Sequence, residues 1–480
     1  AFLYLERPNT PMHVGGLLVF ELPRSKPKGF CRDLVAELRA STTFHRPWNQ
    51  RLASTRLIRA VHHWTETRFV DLEYHVRHSA LPAPGGEREL GQLIARLHSH
   101  PMDMGRPLWE MHVVEGLEWQ RFAVYIKLHH ALTDGIGAQR MVTRSLTSHP
   151  DDLDHPLFWM LNPSGKPKPN RAGRSGPVDM RDLIRDRVRA VGDVARAFGR
   201  ISRSAVEDTG LVLPFQAPRS PLNGRVRSQR RFATQQYDIE RVRKLARASD
   251  ASLNDVVLAL SSAAIRRFLL ESNALPARSL TAGIPVSIRA KDDLGEGNAI
   301  SMAVSTLATD VKDPVGRLRA ITASTRCAKA HLQQMSRRAL QPYTTLFALP
   351  YVAQMATGIG SRRRPVFNVV ISNVPGPTTP LYLRGARLME LYPISLALQG
   401  QALNISCVSY AGTLNFGFIA ARDSVPHMQK LAVYMGEALE ELELALGCRI
   451  ERESAIRQNG ASPFPPPSAG PSRWRPFTTA

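Results

Sequence analysis

Residues 129–135 read His-His-Ala-Leu-Thr-Asp-Gly, and they hold the side chains in this chain best suited to moving a proton. An imidazole, with an ordinary pKa of about 6.5, can take a proton from a hydroxyl or a thiol near neutral pH. The apolar run 122–128 ahead of the pair alternates as a buried strand, and the periodic stretch 136–146 behind it reads as a helix. Successive strand side chains face opposite sides, so His130 shares a face with Phe122, Val124, Ile126 and Leu128, while His129 sides with Tyr125 and Lys127. That makes His130 the candidate base and His129 a residue that packs or holds the loop. Rings on opposite faces do not readily chelate one ion, which argues against a metal site. Asp134 either faces the imidazole or holds the loop through an arginine elsewhere, and Gly135 suits a tight turn or a close backbone approach.

Competing chemistries leave little trace. There is no GxSxG elbow and no Walker loop, and Gly135-x-Gly137 is not continued into GxGxxG. One histidine base acting directly needs no covalent intermediate. His62, His63, His75 and His78 lie among aromatic residues without a third ligand at useful spacing, so they read as surface or packed histidines. Cys31, Cys327, Cys407 and Cys448 form no metal-ligand spacing and read as reduced core residues.

The elements that must position the histidines follow from periodicity. Residues 12–20 read as an early strand and 30–40 as an amphipathic helix; a helix over 87–99 precedes a strand through Trp109, Met111 and Val113. Residues 116–120 then turn that strand into 121–129, making a hairpin that delivers the pair. Further on, Ser252-Leu253-Asn254-Asp255 resembles a capping box that starts a helix to about 270. Strands are expected at 279–288, 300–307, 366–372, 403–410 and 414–420, and a closing helix at 425–446 with Ser424 as its N-cap.

A chain of 480 residues exceeds one ordinary core. We divide it into an N-terminal unit, 1–150, a basic linker or crossover, 151–231, a C-terminal unit, 232–450, and a Pro-rich disordered tail, 451–480. Within the crossover, apolar residues from Met180 to Ile201 recur at helical spacing among arginines, as in a basic amphipathic helix. The net charge of +22 favours polyanionic partners: nucleic acid, an anionic membrane or coenzyme A. No nucleic-acid-binding motif accompanies it, so no specific nucleic acid is expected. No apolar window reaches spanning length and no leader opens the sequence, so a soluble or peripheral cytoplasmic protein is expected.

Several segments in order, PMHVGG at 11–16, PLWE at 107–110, HHALTDG at 129–135, LNDVVLA at 253–259 and NVVISNVPGP at 368–377, resemble the bacterial wax ester synthase/diacylglycerol acyltransferases. That family lies within the superfamily of chloramphenicol acetyltransferase and condensation domains. The resemblance spans nearly the whole chain and implies an α/β (α+β) fold: two similar subdomains, each a mostly antiparallel mixed sheet with helices, joined by a crossover with a tunnel between them. It implies transfer of a long acyl chain from acyl-CoA, a co-substrate rather than a cofactor, to diacylglycerol or a long-chain alcohol. His130 then matches the general base and Asp134 a structural aspartate, in the motif with His129 and Gly135. An oxyanion donor or substrate contact is expected from Asn254, Asp255, Ser372 or Asn373. Arg289, Lys291 and Arg362 to Arg364 are candidates for coenzyme A phosphates, and action at the inner membrane face or a lipid droplet is implied. A non-catalytic condensation-like module, or the same chemistry on another hydroxyl or amine, is the alternative. The oligomeric state is left open.

Overall fold

The computed structural model describes residues 2–23, 28–53, 63–133, 135–161, 212, 215–287, 300–334, 351, 354 and 364–448. Asp134, His62, the basic segment 180–203, Arg289, Lys291, Arg362, Arg363 and the tail 451–480 lie outside the described residues.

Two six-stranded sheets form the frame. The strands of the first are Tyr382–Leu383 (β11), Ala386–Ile394 (β12), His13–Glu21 (β1), Arg121–His129 (β6), Trp109–Leu117 (β5) and Val76–Ala80 (β4), in that spatial order. The second runs Arg230–Asp238 (β7), Thr413–Ala421 (β14), Leu403–Tyr410 (β13), Val369–Val374 (β10), Thr281–Ser287 (β8) and Ile300–Thr306 (β9). Gln50–Ala53 (β2) and His63–Glu66 (β3) make a separate ribbon. Pairing is mostly antiparallel; β4 with β5, and β10 with both β8 and β13, are parallel. The helices are Phe2–Leu5 (α1), Phe30–Arg39 (α2), Leu72–His75 (α3), Glu87–Ser99 (α4), Gly135–Thr143 (α5), Ile239–Ala248 (α6), Leu253–Glu271 (α7), Pro314–Gln334 (α8) and Lys430–Ala445 (α9). Among the described residues no helix is long and apolar enough to cross a membrane.

The hairpin forms as its sequence dictates. Gly116 (φ 84°), Trp119 and Gln120 take left-handed backbone angles, reversing the chain between β5 and β6. The alternation then sorts the sheet faces: Trp109, Met111, Val113, Phe122, Val124, Ile126 and Leu128 share one core, while Val114, Ala123 and Tyr125 lie in another. The capping box of α7 is complete, with Ser252 Oγ accepting from Asp255 N and the Asp255 carboxylate accepting from Ser252 N.

Some elements differ from expectation. The closing helix begins at Lys430, because His427 sits in the left-handed region (φ 57°) and interrupts a start at 425. Ser424 does not cap it; its hydroxyl donates to Arg225 O. β10 begins at Val369 rather than 366, and β6 ends at His129, which leaves His130 in a turn. Strands β4, β7 and β12 carry less alternation and were not expected. The most consequential is β12, which leaves the region 232–450 to pair antiparallel with β1 in the first sheet, Gly16 opposite Pro393. One core accordingly contains Leu17, Leu90 and Phe232 beside Tyr392, Ile394 and Ile419, so both halves of the sequence bury the same apolar surface.

Candidate active site

The histidine pair sits where β6 ends. His129, paired with His13 across β1, is 1% exposed; its N–H donates to Leu108 O, and its Nδ1 accepts the Ala131 N–H at 3.0 Å. A ring nitrogen that accepts an N–H carries a lone pair, so the proton of the neutral His129 ring resides on Nε2, 3.4 Å from a Glu6 carboxylate oxygen. His129 therefore holds the turn. His130 is half-buried, its N–H donates to Met12 O at 2.8 Å, and its ring stacks on Phe2 of α1 with centroids 4.1 Å apart.

A cavity of about 120 Å³ lies between the two sheets. Val14 and Gly16 of β1, Ile126 and Leu128 of β6, and Gly135, Ala138 and Val142 of α5 line one side; Ser372, Val374, Ser406 and Val408 of β10 and β13 line the other. Leu128 and Gly135 flank the turn that carries His130, so the histidine stands beside this space. At Gly16 a Cβ would meet only Leu18 Cδ1, at 3.8 Å, so the missing side chain is open room in the middle of the strand floor. Gly376 is crowded instead: a Cβ there would stand 2.2 Å from Ser409 O and 2.8 Å from Gln139 Nε2, which brings the NVPGP loop against α5.

The cavity walls are mostly apolar; Ser372, Ser406, Gln139 and Ser395 are polar lining residues, and the two facing serines start a chain of hydrogen bonds. Ser372 Oγ donates to Ser406 Oγ at 2.7 Å, and Ser406 Oγ donates to Asn404 Oδ1 at 2.9 Å. Ser372 and Ser406 are opposite each other in the parallel pair, so they share a face; Asn373, opposite Cys407, faces the other way. Asn254 lies in the first turn of α7 and does not line the cavity. Asp255 is buried and spent on structure, its carboxylate taking the Ser252 groups and Thr325 Oγ1 at 2.6 Å. Of the four sequence candidates for a substrate contact, the fold brings only Ser372 to the cavity. Ser406, Asn404, Glu6 and Phe2 carried no signal in the sequence; Ser406, Glu6 and Phe2 gain their places through partners distant along the chain, and Asn404 through Ser406.

Behind the site lies a buried polar network on the face opposite the cavity. Lys127 Nζ is 2.9 Å from Glu110 Oε2 and donates to Leu97 O and His100 O at the end of α4; His112 Nε2 is 3.3 Å from the same Glu110 oxygen. Burial alone would raise the Glu110 carboxyl, but the His112 hydrogen bond and the Lys127 charge outweigh it and hold the pKa at about 2. Burial lowers Lys127, and it lowers His98 to about 3, assisted by the Lys127 and Arg230 charges. His98 Nδ1 bonds Tyr125 Oη at 2.7 Å, and His13 Nε2 bonds His98 O at 2.9 Å. The PLWE segment is thus structural: Trp109 stacks between His75 and Trp159 and donates to Trp48 O, while Glu110 carries the buried charge.

Known proteins are similar to this chain in sequence and fold. The wax ester synthase/diacylglycerol acyltransferase catalytic domain pattern matches residues 1–257, and the WS/DGAT C-terminal domain pattern matches residues 296–443. A putative diacylglycerol O-acyltransferase of Mycobacterium tuberculosis is 44% identical over 93% of this chain and 96% of its own. The O-acyltransferase WSD of Acinetobacter baylyi is 38% identical over 92% and 95% respectively. The wax ester synthase/diacylglycerol acyltransferase structure from Marinobacter aquaeolei VT8 superposes with a TM-score of 0.75 at 36% identity, covering 93% of this chain and 97% of that one. A condensation domain of the calcium-dependent antibiotic synthetase, 16% identical with a TM-score of 0.53 over 92% of both chains, shares the fold. On these matches, which cover both sheets and the histidine turn, the chain belongs to the wax ester synthase/diacylglycerol acyltransferase family.

Proposed function

We propose that this protein moves a long-chain acyl group from acyl-CoA to the hydroxyl of diacylglycerol or of a long-chain alcohol, with His130 as general base. The observation that carries the reading is the position of the His130 turn, flanked by two residues that line an apolar cavity between the sheets. An alkyl chain needs apolar walls and little polar recognition, and the cavity offers both.

In the reaction, the His130 imidazole accepts the proton of the acceptor hydroxyl while the oxygen attacks the thioester carbonyl carbon. The tetrahedral intermediate bears its charge on the former carbonyl oxygen. Collapse breaks the C–S bond, and the leaving thiolate takes the proton back from the imidazolium, which returns the histidine to its starting state. Ser372 is the favoured oxyanion donor because its hydroxyl lies on the cavity wall; donation requires its O–H to turn from Ser406 toward the substrate oxygen. His129 and Gly135 frame the base, and Asp134 is assigned the bracing role.

His130→Ala is expected to lower the rate of coenzyme A release from palmitoyl-CoA and hexadecanol, or diacylglycerol, by roughly a hundred- to ten-thousand-fold. Its thermal unfolding should stay unchanged. Near-normal ester formation by a folded variant would sink the assignment. The same assay run across alcohols and amines discriminates the acceptor class. No release with any of them would favour a binding module.

The net charge of +22 supports peripheral association with an anionic membrane or lipid droplet, where both lipid substrates reside.

A further inference from the structure

We infer that Glu6 is a positioning residue for acyl transfer: its carboxylate faces the Nε2 side of the His129 ring, which favours the Nε2–H tautomer, and it holds the start of β1, whose Met12 carbonyl accepts the His130 N–H. The inference rests on the reading of His130 as the base.

Two contacts meet at the Glu6 carboxylate. Its Oε2 accepts the Met12 N–H and lies 3.4 Å from His129 Nε2, near enough to interact electrostatically but without hydrogen-bond geometry. Met12 O in turn accepts the His130 N–H at 2.8 Å. On the other side, His129 Nδ1 accepts the Ala131 N–H at 3.0 Å. Residues 129, 130 and 131 are therefore all linked to the same carboxylate, His129 by its approach and the other two through Met12 and His129. The tautomer matters to this arrangement. If the proton moved to Nδ1, the Ala131 N–H would face another N–H, and a bare Nε2 would face a carboxylate.

Glu6 is itself held in place. It follows α1, donating its own N–H to Phe2 O at 3.0 Å, and Leu5 is buried with Met12 and Leu398. The element that supplies Glu6 also lays Phe2 on the His130 ring. A half-buried carboxylate beside a histidine pair has little use as a solubilising group; its side chain is only 14% exposed.

Glu6→Gln keeps the size but offers an amide in place of the anion. The expected result is a fall in kcat of about a hundredfold, the scale of a small misplacement of a catalytic group, with KM little changed and folding intact. Glu6→Asp should recover part of it. Nitrogen NMR of the His129 ring is the second readout: the wild type should show Nδ1 without a proton and Nε2 with one, and Glu6→Gln should show a mixture. A folded Glu6→Gln enzyme with normal kcat, or with the His129 tautomer unchanged, overturns the proposal. Should Glu6→Gln fail to fold, the same two measurements on Glu6→Asp decide it. If His130→Ala stays active the base assignment fails on its own, while the tautomer measurement still reports on Glu6.

Discussion

Neighbouring histidines 129 and 130 have the same side chain but are proposed to have different duties, and strand alternation is what suggests separating them before any coordinate is known. Ile126 and Leu128, on the face to which the alternation assigns His130, line the cavity, while His130 itself follows the strand in a turn; His129 ends the strand and is 1% exposed. The partners that fix them are another matter. Glu6 and Phe2 precede the pair by more than a hundred positions, and no local pattern announces a contact of that span. Ser406 is similarly silent, since a serine in a strand has many ordinary uses. The cavity gives Ser372 a sharper test than the sequence could. Ser372→Ala should lower kcat by roughly a hundred- to a thousand-fold, as removal of an oxyanion donor does elsewhere, with a smaller effect on KM. A change confined to KM would make Ser372 a binding residue instead.

At the scale of elements, the hairpin that presents the site was legible because a period of two, a turn and a histidine end all agreed. What holds its register was not. Glu110 and Lys127 are opposite each other across β5 and β6, both buried, and Lys127 also ties the hairpin to the last carbonyls of α4. Removing one member leaves an uncompensated buried charge, at a cost of about 3 to 5 kcal/mol. The acid side of stability follows from the same pair. Glu110 titrates at about 2 in the fold and near its ordinary 4.5 when unfolded, so its contribution is fully present above about 4.5 and is lost as the pH falls toward 2. On the order of 3 kcal/mol rides on that window. Glu110→Gln should unfold more easily at pH 7 and show a shallower fall in stability from pH 5 to 2 in urea titrations; an unchanged slope would refute the role given to this carboxylate. Strand β12 was missed for a physical reason: Arg387, Glu390 and Pro393 interrupt its pattern, and Pro393 has no N–H for the ladder.

For the whole molecule, two sheets with helices and a space between them were expected, and that architecture is what the chain adopts. The interlocking was not, because exchange of a strand between sheets leaves no periodic trace. Net charge is a property of the same scale, and it should make the proposed membrane contact sensitive to salt. The protein should float with vesicles rich in phosphatidylserine at low ionic strength and release in 0.5 M salt, about the point where surface charges are screened within a few ångströms. Flotation equal on neutral and anionic vesicles would remove charge as the cause.

The placement of β12 also bears on how the protein is made. The ribosome delivers β1, β6 and β5 long before β12 emerges, so during synthesis β1 waits with one edge unpaired. Its run Leu17, Leu18, Val19 and Phe20, buried in the finished fold, is apolar enough to recruit a wrong strand in the interval. The half-made chain is therefore expected to be a chaperone client, and a pause or truncation ahead of residue 386 should yield aggregate rather than a soluble half-enzyme.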